Sequence, residues 1–410
     1  VLTYTTSNNN WVVCKLGEMA EEIRELYEPT SAEQYPYIGL EHIGQRSLRL
    51  TGVGKSTETI STKKVFHAGD ILFGSLRPYF RKVARPKFGG VCSTDITVIR
   101  AKAKADQGFL HYFIANQAFI DHATNISGGT RMPRANWKVL CDSKWSFPPL
   151  PTQRKIAAIL SAYDDLIENN LRRIKILEEI AQNLYREWFV KFRFPGHEKA
   201  RFVDSPLGKI PEGWEVVTLG GTCELRKDKF RKEEHGELPL LNLAKMLQRT
   251  LLVGEMGKPD ELSTSRIIFE EDDILFGSIR PYLHKVVLAP CQGVTNVSVL
   301  VIRPRDEDLW SFLAVLLSSI DVIRWADQHS TGTKMPVIKW DSLQTMPVLM
   351  PSESVLHAFA TAVEPLLQAI KMTFSRNQNL RRTRDLLLPK LISGDLDVSE
   401  LHINLSPIYS

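Results

Sequence analysis

Cysteine is scarce in this sequence and shows no pairing pattern. The 410 residues hold five, at positions 14, 92, 141, 223 and 291, and no two form a C-x-x-C. An odd, scattered set argues against a disulfide framework and a thiolate zinc site, and it suits a reducing, cytoplasmic setting. Long apolar runs are also missing. None approaches the roughly eighteen residues of a membrane span, and residues 1–20 lack a signal-peptide pattern. Charge of one sign is not in large excess: the formal net charge is +5. That balance permits a nucleic-acid partner without requiring one. Length and composition fit two or three globular domains with a sizeable core.

Catalytic signatures are absent. Gly52-Val53-Gly54-Lys55-Ser56 comes near a phosphate-binding loop, but Arg49 stands where the leading glycine belongs. There is no HExxH, no GxSxG, no GxGxxG between a strand and a helix, and no Asn-Pro-Pro-Tyr or Asp-Pro-Pro-Tyr. No compact set of acidic or histidine residues suggests a metal site.

What the sequence does contain is a repeat at an offset of 203 residues. Ile71–Val83 aligns with Ile274–Val286, identical at ten of thirteen positions. The same offset pairs Trp11 with Trp214, Leu16-Gly17 with Leu219-Gly220, Pro36 with Pro239, and Trp137 with Trp340. It also pairs Gly129-Thr130-Arg131-Met132-Pro133 with Gly332-Thr333-Lys334-Met335-Pro336. A register held this far marks a duplication. The repeat keeps Gly, Arg, Pro, Tyr and Lys, which points to a binding surface rather than an active site.

Each copy begins with about 150 residues of short β-prone runs, including 91–100 and 294–303, each followed by a short helix, at 107–123 and 309–325. A long helix follows in each copy. The first is expected after Pro151 with Thr152 as its cap. Its apolar positions alternate by four and three through Ile156, Leu160, Tyr163, Ile167, Ile174, Leu177, Ala181, Leu184 and Trp188, with Asn170 in the remaining slot. The second, capped by Ser352, runs through Phe359, Val363, Leu366, Ile370, Thr373, Asn377, Leu380, Arg384, Leu387 and Leu391, and is imperfect at Thr373 and Arg384. An exposed seam requires a partner. The expected fold is therefore α+β: two homologous mixed α/β domains separated by two long helices paired as an antiparallel coiled coil, with a pseudo-two-fold axis. Asn170 and Asn377 would fix the helix register. The expected boundaries are 1–150 for the first domain, 151–193 for the first helix, 194–350 for linker and second domain, 351–394 for the second helix, and 395–410 for a tail.

Residues 1–150 carry 19 Lys and Arg against 13 Asp and Glu, while residues 192–350 carry 20 against 22. Clustering is therefore more informative than total charge. The first domain offers Arg46, Arg49, Lys55 and Lys63, then Ser75, Arg77, Arg81 and Lys82 around the repeated turn, and Thr130-Arg131. The second offers Lys227 and Lys229, then Ser278, Arg280 and Lys285, and Thr333-Lys334. Arg77 and Arg280 recur in domains that otherwise diverge, which favours a phosphate contact over base reading; an internal ion pair is the alternative. Tyr79 and Tyr282 are expected to pack within their loops.

Several segments resemble one family. They are Pro148-Pro149-Leu150-Pro151-Thr152-Gln153-Arg154-Lys155-Ile156-Ala157, Leu184-Tyr185-Arg186-Glu187-Trp188-Phe189-Val190, Leu207-Gly208-Lys209-Ile210-Pro211-Glu212-Gly213-Trp214, and Leu388-Pro389-Lys390-Leu391-Ile392-Ser393-Gly394. Together they resemble the specificity subunits of type I restriction–modification systems over essentially the whole chain. The resemblance implies two target recognition domains, each reading half of a bipartite, asymmetric double-stranded DNA site. It implies a non-catalytic chain that docks two methyltransferase subunits and joins restriction/translocase subunits. ATP, S-adenosylmethionine and Mg²⁺ would belong to those partners. In the second copy Pro351-Ser352-Glu353-Ser354 lacks the Gln153-Arg154 pair, so the two docking segments would differ. Alternative readings are the recognition part of a fused restriction–methyltransferase chain, a coiled-coil interaction scaffold, and a stand-alone nuclease or methyltransferase.

Overall fold

A computed structural model describes residues 10–29, 34–129, 131–231, 235, 237–254, 256–258 and 266–403. The chain forms two compact units, Val1–Ile167 with Asn379–Ser410, and Glu168–Gln378.

In the first unit a four-stranded antiparallel sheet has the order Ala20–Ile23, Ile96–Ala101, Ile71–Gly74, Val83–Ala84. Successive side chains of a strand face opposite ways, and here both faces are covered. Ile71, Phe73 and Ile99 pack under the helices Gln107–Ala115 and Gln117–Asn125 with Phe109, Phe113 and Phe119. Leu72, Ile96 and Val98 face a second cluster with Ile38 and Phe66, which belong to a five-stranded sheet. This explains why Ile71–Gly74 reads as a continuous apolar run.

The second unit repeats the plan. Cys223–Arg226, Val299–Pro304, Ile274–Gly277 and Val286–Leu288 form its central sheet in the same order, each beginning 203 residues after its counterpart. The runs 91–100 and 294–303 are not single strands. Gly90–Cys92 and Gly293–Asn296 pair outside the central sheets, and only Ile96–Ala101 and Val299–Pro304 enter them. The following helices also break, because Asn116 and Ser319 are extended and start second helices; the Ser319 side chain accepts from Val322 N–H. The linker holds a hairpin, Phe202–Ser205 with Gly208–Pro211.

The first long helix runs Leu150–Tyr185, so Thr152 lies inside it, buried, rather than at its cap. Gln153 is fully buried: its amide donates to the Pro148 carbonyl at 2.9 Å and its oxygen accepts from Asp106 N–H at 2.8 Å. It ties the helix start to the first unit, leaving exposed Arg154 as the outward member of the pair. The second long helix runs Glu353–Ser393, with Ser352 immediately before it accepting from Val355 and Leu356 N–H.

Each unit contains antiparallel stretches of both helices. In the first, Ile156 and Leu160 share a core with Leu388 and Leu391. In the second, Ile174 and Ala181 share one with Phe359, Val363 and Ile370. None of the expected seam residues is exposed. Arg384 interrupts the apolar pattern for a reason visible in the fold: it is buried and paired with Asp164 and Asp385, and Asp164 also accepts the Tyr112 hydroxyl at 2.6 Å. Asn170 Nδ2 donates to Asn377 Oδ1 at 2.8 Å, with Asn377 fully buried.

A buried polar pair favours one register at a cost in stability. The double substitution Asn170→Leu with Asn377→Leu should raise stability by about 1–2 kcal/mol. Thermal melting checks this, and an unchanged or lower Tm counts against it.

Candidate nucleic-acid interface

The two motifs picked out by the repeat meet in space. In the first unit Arg77 N–H donates to the Pro133 carbonyl at 2.8 Å, and Leu76 bridges to Arg134. In the second, Arg280 N–H donates to Pro336 at 2.7 Å, and Ile279 bridges to Val337. Each pair of loops forms one knuckle at the end of its central sheet. The arginines are left-handed, at φ 51° and 52°. This conformation is costly for a residue with a Cβ, and it persists only where surroundings over-determine it. Gly129 and Gly332, at φ 94° and 97°, let the second loop turn back; a Cβ there would lie 3.3 and 3.0 Å from the Met132 and Met335 carbonyls.

Several expected contact residues serve the knuckle itself. Ser75 Oγ donates to the Asp95 carbonyl at 2.7 Å, and Ser278 Oγ to the Ser298 carbonyl at 2.9 Å. Lys82 donates to the Leu40 carbonyl, and Lys285 to its counterpart on Leu243. Arg81 Nε donates to Ala115 O at a helix end, where the second unit sets His284 against Ser318 O at 2.8 Å. Burial pushes Arg81, Lys82, Lys285 and His284 below their ordinary pKa values. Lys63 is also buried, donating to Ser61 and lying near the Tyr37 ring, with its pKa lowered by desolvation.

Other residues face outward. Arg46, Lys55, Arg131, Lys227, Lys229, Arg280, Thr333 and Lys334 are exposed, and Arg49 and Arg77 are half-buried. Thr130 lies outside the described residues. Among the described residues neither Arg77 nor Arg280 forms an ion pair, and Arg77 Nε is buried without a hydrogen bond. Tyr79 and Tyr282 pack only in part, Tyr79 against the neighbouring Phe80 with ring centroids 4.7 Å apart. The two tyrosines are 43% and 49% exposed, because the left-handed arginine turns the following proline into the core and the tyrosine outward. One repeated pair escaped the sequence reading: Asp70 with Arg100, and Asp273 with Arg303. Both carboxylates are buried and also accept a turn N–H. The aligned Gly69-Asp70 and Asp272-Asp273 were the available signal; their role is architectural.

Among the described residues no group of three or more His, Cys, Asp or Glu is gathered for a metal ion. No single described helix is long and apolar enough to cross a membrane.

A family profile described as the type I restriction modification DNA specificity domain matches residues 8–180. The type I restriction enzyme MjaIX specificity subunit of Methanocaldococcus jannaschii is 26% identical over 385 residues, 91% of this chain and 87% of that one. The EcoDI specificity subunit of Escherichia coli is 31% identical over 180 residues, 42% of this chain and 40% of that one. The crystal structure of a type I system S subunit from M. genitalium shares the fold, with TM-score 0.58 and 16% identity over 94% of this chain and 97% of that one. The chain is thus similar to the specificity subunits of type I restriction–modification systems, by family profile over residues 8–180 and by pairwise identity over most of its length.

In this chain the inward and outward cations should separate by experiment. Arg81→Ala and Lys285→Ala remove part-buried hydrogen bonds to backbone carbonyls and should each destabilise by about 1–3 kcal/mol. Arg131→Ala and Lys334→Ala should stay within about 0.5 kcal/mol. Chemical denaturation of the four variants checks this ordering.

Proposed function

We propose that this chain is the non-catalytic DNA-reading subunit of a type I restriction–modification complex. It recognises a bipartite, asymmetric duplex site and directs methyltransferase and restriction subunits to it. The observation that carries this reading is one architecture built twice at a constant 203-residue offset, with the same outward knuckle on differently charged bodies. Residues 1–150 and 194–350 each read one half-site, and the helices 151–193 and 351–394 hold them and dock two methyltransferase subunits. ATP, S-adenosylmethionine and Mg²⁺ act on the partner subunits, and the setting is the cytoplasm.

Within this reading the knuckles grip the backbone. Arg77 and Arg280 carry no ion pair of their own among the described residues, recur in both units, and would meet phosphate, the feature every duplex offers. Exposed Arg131 and Lys334 add a second cation to each knuckle.

Exchanging residues 1–150 for the matching domain of a relative should change one half-site and leave the other, as read by methylation sequencing of the assembled system. A change in both, or in neither, contradicts the modular reading. Arg77→Ala and Arg280→Ala should each lower the slope of log K against log salt by roughly one with discrimination nearly constant. Discrimination lost at a single base pair would instead make that arginine a base reader.

A further inference from the structure

Resting on that reading and extending it, we propose that the first unit reads base edges through a groove beside its knuckle, walled by Glu22, Arg24, Lys64, Thr97, Arg134 and Lys138. The groove has a volume of about 660 Å³ and opens to solvent. Buried Ser75 and Thr97 lie at its base. It adjoins the knuckle directly, since Arg134 bridges both to Leu76 and to Gly128.

The groove's cations are held but not used up. Arg24 Nε is fixed by Glu22 at 2.8 Å and Arg134 Nη2 by Asp95 at 2.6 Å, while their side chains remain 60% and 61% exposed. Each guanidinium therefore has an anchored end and further N–H groups facing solvent. An anchored planar fork loses little freedom on binding, and it matches guanine O6 and N7. Lys64 sits between Glu22 at 3.3 Å and the Ile96 carbonyl at 2.9 Å. Lys138 is exposed at the rim.

Comparison with the second unit separates this surface from the knuckle. Of the thirteen residues lining the groove, only Ser75 and Trp137 recur 203 positions later, against ten of thirteen in Ile71–Val83. The six walls become Leu225, Lys227, Ile267, Leu300, Val337 and Asp341. The backbone frame is unchanged: the bridge from Gly128 to Arg134 recurs between Thr331 and Val337. The six positions thus carry five charged side chains in the first unit and two, Lys227 and Asp341, in the second, where the other four are apolar. A phosphate contact gives no reason for that exchange. Reading two different half-sites does, with arginine suited to guanine and apolar groups to the thymine methyl.

The test uses the chain assembled with its methyltransferase partners. Arg24→Ala and Arg134→Val are made separately; the latter installs the side chain that the second unit carries on the same frame. Binding is measured to the specific duplex and to every single-base variant. Each variant should lose at least tenfold discrimination at one or two base pairs of the half-site that domain exchange assigns to residues 1–150, with the other half-site unchanged. Discrimination preserved at every base pair overturns the proposal, whether affinity falls uniformly or not at all; so does relaxation in the other half-site. If Arg134→Val melts early, Arg134→Lys keeps the charge and backbone but removes the fork, and the same loss is expected. A domain exchange that moves neither half-site would defeat the function proposed above; an exchange that works beside unaltered discrimination would defeat the groove alone.

Discussion

The apolar seam between the two long helices is the constraint on which both units depend. Each unit closes its core on stretches of both helices: Ile156, Leu160, Leu388 and Leu391 in one, and Ile174, Ala181, Phe359, Val363 and Ile370 in the other. Burial of such side chains contributes about 1.5–3 kcal/mol each, so a sheet-and-helix body of either unit deprived of its helix stretches would expose a large apolar face. Polar residues in the seam act on geometry. Asn170 with Asn377, and Arg384 with Asp164, are satisfied only in one antiparallel register. A one-turn slip would bury these groups unpaired.

On that support the duplicated units divide their cations into two sets. Arg81, Lys82 and Lys285 face inward onto backbone carbonyls and hold the knuckle in a left-handed shape that its arginines would not adopt alone. Arg131, Lys334 and Arg280 remain exposed. The repeat therefore keeps two kinds of residue for two reasons: one builds the loop and the other is displayed by it.

Much of this was legible in the sequence. The helix seams, the asparagine pair and the duplicated strands follow from periodicity and offset, because a heptad pattern and a constant register depend on spacing alone. Direction was harder to read. Lys63 and Lys82 look like surface cations, yet Lys63 is buried near the Tyr37 ring and bonds nearby Ser61, and Lys82 bonds the Leu40 carbonyl, which only the fold brings to it. Tyr79 and Tyr282 read as packed residues and are exposed, since the backbone twist at the preceding arginine carries no sequence signature. The helix start was misplaced at Thr152 because Gln153, a residue without a helical pattern of its own, anchors the preceding turn to Asp106 and Pro148. The groove along Glu22, Lys64, Thr97 and Arg134 draws on four separated segments and could not be assembled from any one of them.

The central claim is that the two units each read one half-site. Mapping methylated adenines across a genome that expresses the assembled system tests it most directly. The account predicts one motif made of two unlike defined parts flanking an unread spacer. A continuous motif, or methylation without sequence preference, would contradict it.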